Sequence, residues 1–154
     1  LGSFASVEEF LIRPPKGYRF IEQPGPSGSM AYGWMGDKRT DGTHAQLLVA
    51  TYSPGETISP NDLEPAFLSR MESMRRGREQ WQQTKLEFGT INGLRYVWTH
   101  WEGYDVTLEI KLFGFNYMLF SGDKVIQLSS QDVEPHRKEA LAVAELAALT
   151  FKKK

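Results

Sequence analysis

Residues 95–128, RYVWTHWEGYDVTLEIKLFGFNYMLFSGDKVIQL, carry aromatic residues at short intervals throughout and decide the kind of fold this chain adopts. Residues two apart on a strand share a face, so Tyr96, Trp98 and His100 line one side of an extended segment and Val97, Thr99 and Trp101 the other. Large groups on both sides predict a central strand with a layer on each face, and place Trp98 almost fully buried against an adjacent strand and a helix. Further on, Tyr104, Val106, Leu108, Ile110 and Leu112 alternate with Asp105, Thr107, Glu109 and Lys111, the period of a half-buried strand. Turns are expected at Glu102-Gly103, Gly114 to Asn116 and Gly122-Asp123, and such short connections make neighbouring strands antiparallel.

Working upstream, Asn92-Gly93 is a strong hairpin signal between Leu86 to Ile91 and Leu94 to Trp101. The first third reads as short strands, Phe10 to Arg13, Tyr18 to Glu22, Met30 to Met35 and Ala45 to Tyr52. These are punctuated by Pro14-Pro15, Pro24-Gly25-Pro26, Gly36-Asp37 and Pro54-Gly55.

Two helices are expected. Ser59 suits an N-cap, Pro60 the first helical position and Asp62 a capping-box spacing. Leu63, Phe67, Met71, Met74 and Trp81 then keep to one stripe, with Arg78 in the gap and Gly77 weakening the last turn. The second helix is expected to hold Pro135 in its first turn, with Glu134 and Asp132 at the positive end of its dipole. Ala140, Val143, Ala144, Ala147 and Ala148 allow close approach, while Leu141, Leu146 and Leu149 make its final turns apolar nearly all round, so this helix is expected to be well buried. Phe151 is a last anchor before the tail Lys152 to Lys154. Together these elements predict one α+β domain over residues 1–154, an α/β/α-type sandwich whose central antiparallel sheet is flanked by helices on both faces.

With 154 residues, 40% of them apolar and 24% charged, the chain has the composition of a globular protein that can bury a sizeable core. A net charge of −1 gives no basic field for nucleic acid, and no apolar run reaches membrane-spanning length. The absence of cysteine excludes disulfides, thiolate zinc sites and a cysteine nucleophile within these residues. The start at Leu1-Gly2-Ser3, without methionine, fits either residues added in cloning or a trimmed leader, and a trimmed leader points to export.

Nucleophile-elbow, zincin, phosphate-loop and dinucleotide motifs are missing, and no cofactor is expected. Asp37, Asp41 and His44 share a loop and raise a cation site, but turn-forming aspartates explain them equally, and no metal is assigned. His100 and Glu102 share a face and have the spacing of a base with its orienting carboxylate, without any nucleophile to serve. The Arg75-Arg76-Gly77-Arg78 cluster offers positive charge to an acidic partner or simply solvates a helix end. Tyr32 and Trp34, beside glycine-rich loops, are with Trp101 the first places to look for an exposed aromatic patch.

Several stretches together resemble the PsbP-like family: ISPNDLEPAFLSRMESM, GTINGLRYVWTHWEG, YMLFSGDKVIQLSS and the terminal LTF, with the early corner IRPPKGYRF. Asn92-Gly93, Val125 to Ser129 and Thr150-Phe151 sit where that family has its recurring signals. Its members include the extrinsic P subunit of photosystem II, nuclear-import factors that bind the Ran GTPase, and bacterial stand-alone proteins, which this chain resembles most. The resemblance implies a central antiparallel sheet, no shared catalytic residues, and action by binding other macromolecules. The expected function is therefore non-enzymatic binding of a protein or peptide outside the bacterial cytoplasm, without nucleic acid. Candidate contact residues are Tyr32, Trp34, Trp98, His100, Trp101, Arg75 and Arg76. The alternatives are a small-molecule module with an aromatic-lined pocket between sheet and helix, and an enzyme of unrecognised type.

Overall fold

Short β-rich segments separated by turn residues become strands, and the two amphipathic segments become helices, in a computed structural model that describes residues 1–25, 28–56 and 58–154. In chain order these are β1 Ala5–Val7, β2 Phe10–Ile12, β3 Arg19–Pro24, β4 Met30–Met35, β5 Gln46–Tyr52, a 3-10 turn Pro60–Asp62, and α1 Leu63–Arg76. There follow β6 Arg78–Gln83, β7 Glu87–Ile91, β8 Leu94–Asp105, β9 Ile110–Ser121, β10 Lys124–Asp132, α2 Arg137–Ala148 and β11 Lys152–Lys153. The corner expected at Pro24-Gly25-Pro26 ends on Pro26, which lies outside the described residues.

Among the described residues, eight strands form one antiparallel sheet in the order β3-β4-β5-β10-β9-β8-β6, with β7 also paired to β8. The last four, β7 to β10, are the expected meander, and β6 shares the outer edge of β8 with β7. A smaller sheet, β1-β2-β11, is closed by the C-terminal lysines, which are a strand and not a loose tail.

Two of the four expected turns are in place. Asn92 and Gly93 have φ of 48° and 85°, both left-handed, as a type I′ hairpin needs, and Gly122 (φ 63°) opens the β9–β10 turn. The other two are replaced by one. Strand β8 runs straight through Glu102-Gly103 and β9 through Gly114 to Asn116, and the reversal falls at residues 106–109. The alternating run from Tyr104 to Leu112 is therefore a hairpin: Asp105 Oδ1 accepts the Leu108 N–H at 2.9 Å, Glu109 turns left-handed at φ 55°, and Val106 and Leu108 are exposed at the tip.

Close packing explains why the two glycines are not turns. A Cβ at Gly114 would lie 2.5 Å from Trp101 Cζ2 and 2.7 Å from the Ser130 carbonyl; one at Gly103 would lie 3.1 Å from the Trp81 ring and 3.2 Å from Arg78 Cβ. Each glycine makes room for a large side chain to lie flat on the sheet.

The first helix is also shorter than its stripe. The Ser59–Asp62 capping box is present, but α1 stops at Gly77, and Arg78 and Trp81 belong to β6. Pairing with β8 and stacking of Trp81 on Trp101, with ring centroids 5.2 Å apart, hold this segment extended beyond the weak glycine turn. The segment carries an irregularity between Glu79 and Gln82, with Gln80 left-handed.

The core divides into two clusters. Leu63, Phe67 and Met71 of α1 pack with Val97, Trp101, Leu112 and Met118. Ala144, Ala147 and Ala148 of α2 pack with Phe115, Tyr117, Leu119, Ile126 and Leu128, and Phe151 stacks on Phe10 in the same cluster. Leu146 and Leu149 are exposed, so α2 is buried along its alanine stripe and open elsewhere, contrary to the apolar end expected.

One polar knot ties the small sheet to the large one. Glu8 accepts from Tyr32 Oη at 2.7 Å, from Thr51 Oγ1 and from Lys124 Nζ, which also reaches Glu9 at 2.8 Å. Burial pushes the Glu8 carboxyl up, but the hydrogen bonds of Lys124, Thr51 and Tyr32 outweigh it and leave the group below the ordinary value of 4.5. A depressed folded pKa stabilises the fold above the unfolded value and loses that contribution as pH falls through the folded one. Glu8→Gln is expected to lower Tm at pH 7, with the gap from wild type closing below about pH 4. A gap constant from pH 7 to pH 3, measured by thermal denaturation, would contradict this.

Candidate functional site

Where α2 leaves the end of β8 uncovered, a cleft of about 470 Å³ opens between helix and sheet. Its apolar surface comes from Phe113 and Leu141, its polar rim from His100, Glu145 and Arg137, and its outer wall from Gln82, Gln83 and Thr84, with Trp101 meeting it from within the sheet. Period two places His100 on the α2 side of β8, beside Trp98. The His100 ring stands edge-on to Trp98, centroids 4.6 Å apart, and Trp98 stacks on Tyr117 of β9 at 5.3 Å.

Glu145 of α2 ties this ladder to the helix. It accepts a hydrogen bond from Tyr117 Oη at 2.9 Å and lies 3.6 Å from His100 Nε2. His100, foremost, with the Tyr117 hydroxyl, holds the Glu145 carboxyl below the usual carboxylate range in spite of burial. Burial and the adjacent carboxylate push the Tyr117 hydroxyl far above its ordinary range, so it acts as a donor and not as a base. On the rim, Arg137 sits 4.2 Å over the Phe113 ring and bonds Glu134.

The residues singled out from sequence are distributed unevenly around this cleft. His100 and Trp101 line it, and Trp98 lies beside it on the same ladder. The two tryptophans exchange the burial expected of them: Trp101 is 4% exposed, whereas Trp98 is only partly buried. Trp101 points into the α1 side of the core, where Gly114 accommodates it and Asn116 accepts its indole N–H at 2.9 Å. Tyr32 and Trp34 form no exposed patch; both are buried in the α2-side cluster, because the small sheet and Phe20 cover them. Arg75 bonds Glu72 and Arg76 lies 3.8 Å from it, both on the outer surface of α1.

The carboxylate at His100 is Glu145, contributed by another element, whereas Glu102 faces Lys111 at 3.8 Å. Asp41 and His44 do not converge. Asp41 accepts from the Thr43 N–H and hydroxyl and from His136, while His44 Nδ1 meets the Gly36 carbonyl at 3.0 Å. Sequence reading missed Glu145, Tyr117 and Arg137. An acidic residue inside an otherwise alanine- and leucine-rich helix was the available signal for the first.

The fold and cleft define an α+β protein built on an antiparallel sheet, with an open cleft at one end. No family model and no curated protein matches the sequence. Among solved structures, cyanobacterial PsbP (CyanoP) from Synechocystis sp. PCC 6803 superposes with a TM-score of 0.69 at 14% identity, over 99% of this chain and 92% of that one. A Pseudomonas aeruginosa protein of unknown function, PA94, gives 0.59 at 11% identity over 99% and 96%. A Bacteroides thetaiotaomicron VPI-5482 structure gives 0.56 at 11%, over 95% of this chain and 45% of that one. The chain has the PsbP-like fold.

Proposed function

We propose that residues 1–154 act as one non-enzymatic binding domain, with helices layered on both faces of the sheet, that takes a peptide segment of a protein partner in the cleft between β8 and α2. The carrying observation is the cleft's composition: an apolar floor of Phe113 and Leu141, bordered by His100 and by charges of both signs at Glu145, Arg137 and Lys138. An apolar floor anchors one or two side chains, and a mixed rim pairs with polar groups along an extended chain. The resemblance to PsbP-like proteins supports a binding role and a working place outside the bacterial cytoplasm. Among the described residues, no helix is long and apolar enough to cross a membrane.

Ala142 is exposed and lines the cleft, so Ala142→Trp fills it from the helix side without touching the core. Peptides selected on the wild-type protein from a random display library are expected to bind the variant at least tenfold more weakly, as read by fluorescence polarisation, with Tm unchanged. Equal affinity for both proteins would move the binding surface elsewhere.

A small apolar ligand is the second reading, favoured by the placement of Phe113, Leu141 and His100 between sheet and helix. Saturable quenching of tryptophan fluorescence by a small aromatic compound, abolished in the same variant, would select it over a peptide.

A further inference from the structure

On the opposite side of the sheet, a second groove of about 340 Å³ lies between the C-terminal half of α1 and strands β5, β9 and β10. Its character differs from that of the cleft. Among the described residues the charged groups lining it are Arg70 and Arg78, and its lining includes no carboxylate. Arg75 and Arg76, on the same helix end, are matched by Glu72, whereas Arg70 has no ion pair or hydrogen bond among the described residues.

Arg78 is held in one pose. Gly103 gives its stem room to lie across β8, the guanidinium sits 5.0 Å over the Trp101 ring, and Nη1 donates to the Met74 carbonyl at 2.8 Å. Its Nε is buried and donates to nothing among the described residues. The buried Nε presents no surface to a ligand, so with Nη1 engaged the donor of the fork left for an acceptor in the groove is Nη2, a charged N–H that suits an oxygen of an oxyanion.

Asn116 supports the same chemistry. It is 2% exposed, and its Oδ1 is committed to the Trp101 indole N–H at 2.9 Å. That contact fixes the amide orientation and presents Nδ2 as a donor, which makes no hydrogen bond among the described residues although Asn116 lines the groove. Ser129 lines it as well and adds a hydroxyl.

We propose that this groove is an oxyanion site, taking a carboxylate or phosphate group on Nη2 of Arg78, with Arg70 as the second charge and Asn116 Nδ2 and Ser129 as further donors. The ligand is a small anion or an acidic group carried on a larger one.

The Nε–H of Arg78 and the Nδ2 amide of Asn116 report directly in nitrogen–proton NMR spectra. Inorganic phosphate and, separately, acetate are titrated at ionic strength held constant with chloride. Saturable shifts of both signals are expected with at least one probe, and affinity should fall about tenfold in Arg70→Gln. That variant changes an exposed residue without a hydrogen bond or ion pair among the described residues, so its stability should be retained; Arg78→Gln should abolish binding. Saturation by phosphate alone assigns a phosphate source, by acetate alone a carboxylate, and by both the shared oxyanion chemistry. Shifts no larger than those from chloride, or an unchanged affinity in Arg70→Gln, would overturn the site.

Discussion

Trp101→Ala is expected to destabilise the protein by about 3–5 kcal/mol, the range for removing a large buried aromatic side chain. Trp101 joins the two core-facing elements of its side: it stacks on Trp81, carries Arg78 over its ring, lies on Gly114 and donates its indole N–H to buried Asn116. Alanine there leaves a cavity and removes the partner of Asn116 Oδ1 as well. A domain of ordinary stability has about 5–15 kcal/mol in total, so the variant should melt far below wild type or fail to fold. Trp98→Ala should cost much less, about 0.5–3 kcal/mol, since Trp98 is only partly buried and its chief contact is the stack on Tyr117. Chemical denaturation of the two variants side by side tests the order. A larger loss at Trp98 would contradict the packing described here.

Arg39→Ala should be comparably damaging, at about 3–5 kcal/mol, for an electrostatic reason. Asp132, at the end of β10, is 3% exposed, and its two oxygens accept from Arg39 Nη1 and Nη2, each at 2.8 Å. Asp132 Oδ1 also accepts the Val133 N–H at 2.8 Å, which orients the chain entering α2. Removing the guanidinium leaves a carboxylate buried without its counter-charge. Arg39→Lys should recover only part of the loss, because a point charge cannot bond both oxygens in the same plane. Full recovery by lysine in equilibrium denaturation would show that charge alone, without the fork, is what matters.

The Arg39 pair also shows where sequence reading stops. Arg39 and Asp132 are 93 positions apart and each sits among ordinary turn and strand residues, so nothing local marks them as partners. The loop from Asp37 to His44 was legible as a polar turn; its use as a latch onto Asp132 and His136 was not. The same holds for the cleft. His100 and the aromatic ladder were visible in one strand, but Glu145 comes from a helix 45 positions later in the chain.

By itself the sequence determined the α+β class, the capped start of the first helix, the Asn92-Gly93 and Gly122-Asp123 hairpins, and the antiparallel meander of β7 to β10; the second helix begins at Arg137, so Pro135 lies in the turn before it and not in its first turn as expected. These rest on local physics: capping side chains, left-handed turn residues and a period of two or 3.6. Only the tertiary structure decided which glycines turn the chain and which accept a ring, since Gly103 and Gly114 differ from Gly93 in what packs above them and not in their neighbours along the chain. It likewise decided which of two tryptophans three positions apart is sealed in the core. Period two puts Trp98 and Trp101 on opposite faces, and only the packing of Leu63, Phe67 and Met71 of α1 and Trp81 of β6 with Trp101 seals it, while Trp98 stays partly open beside the cleft.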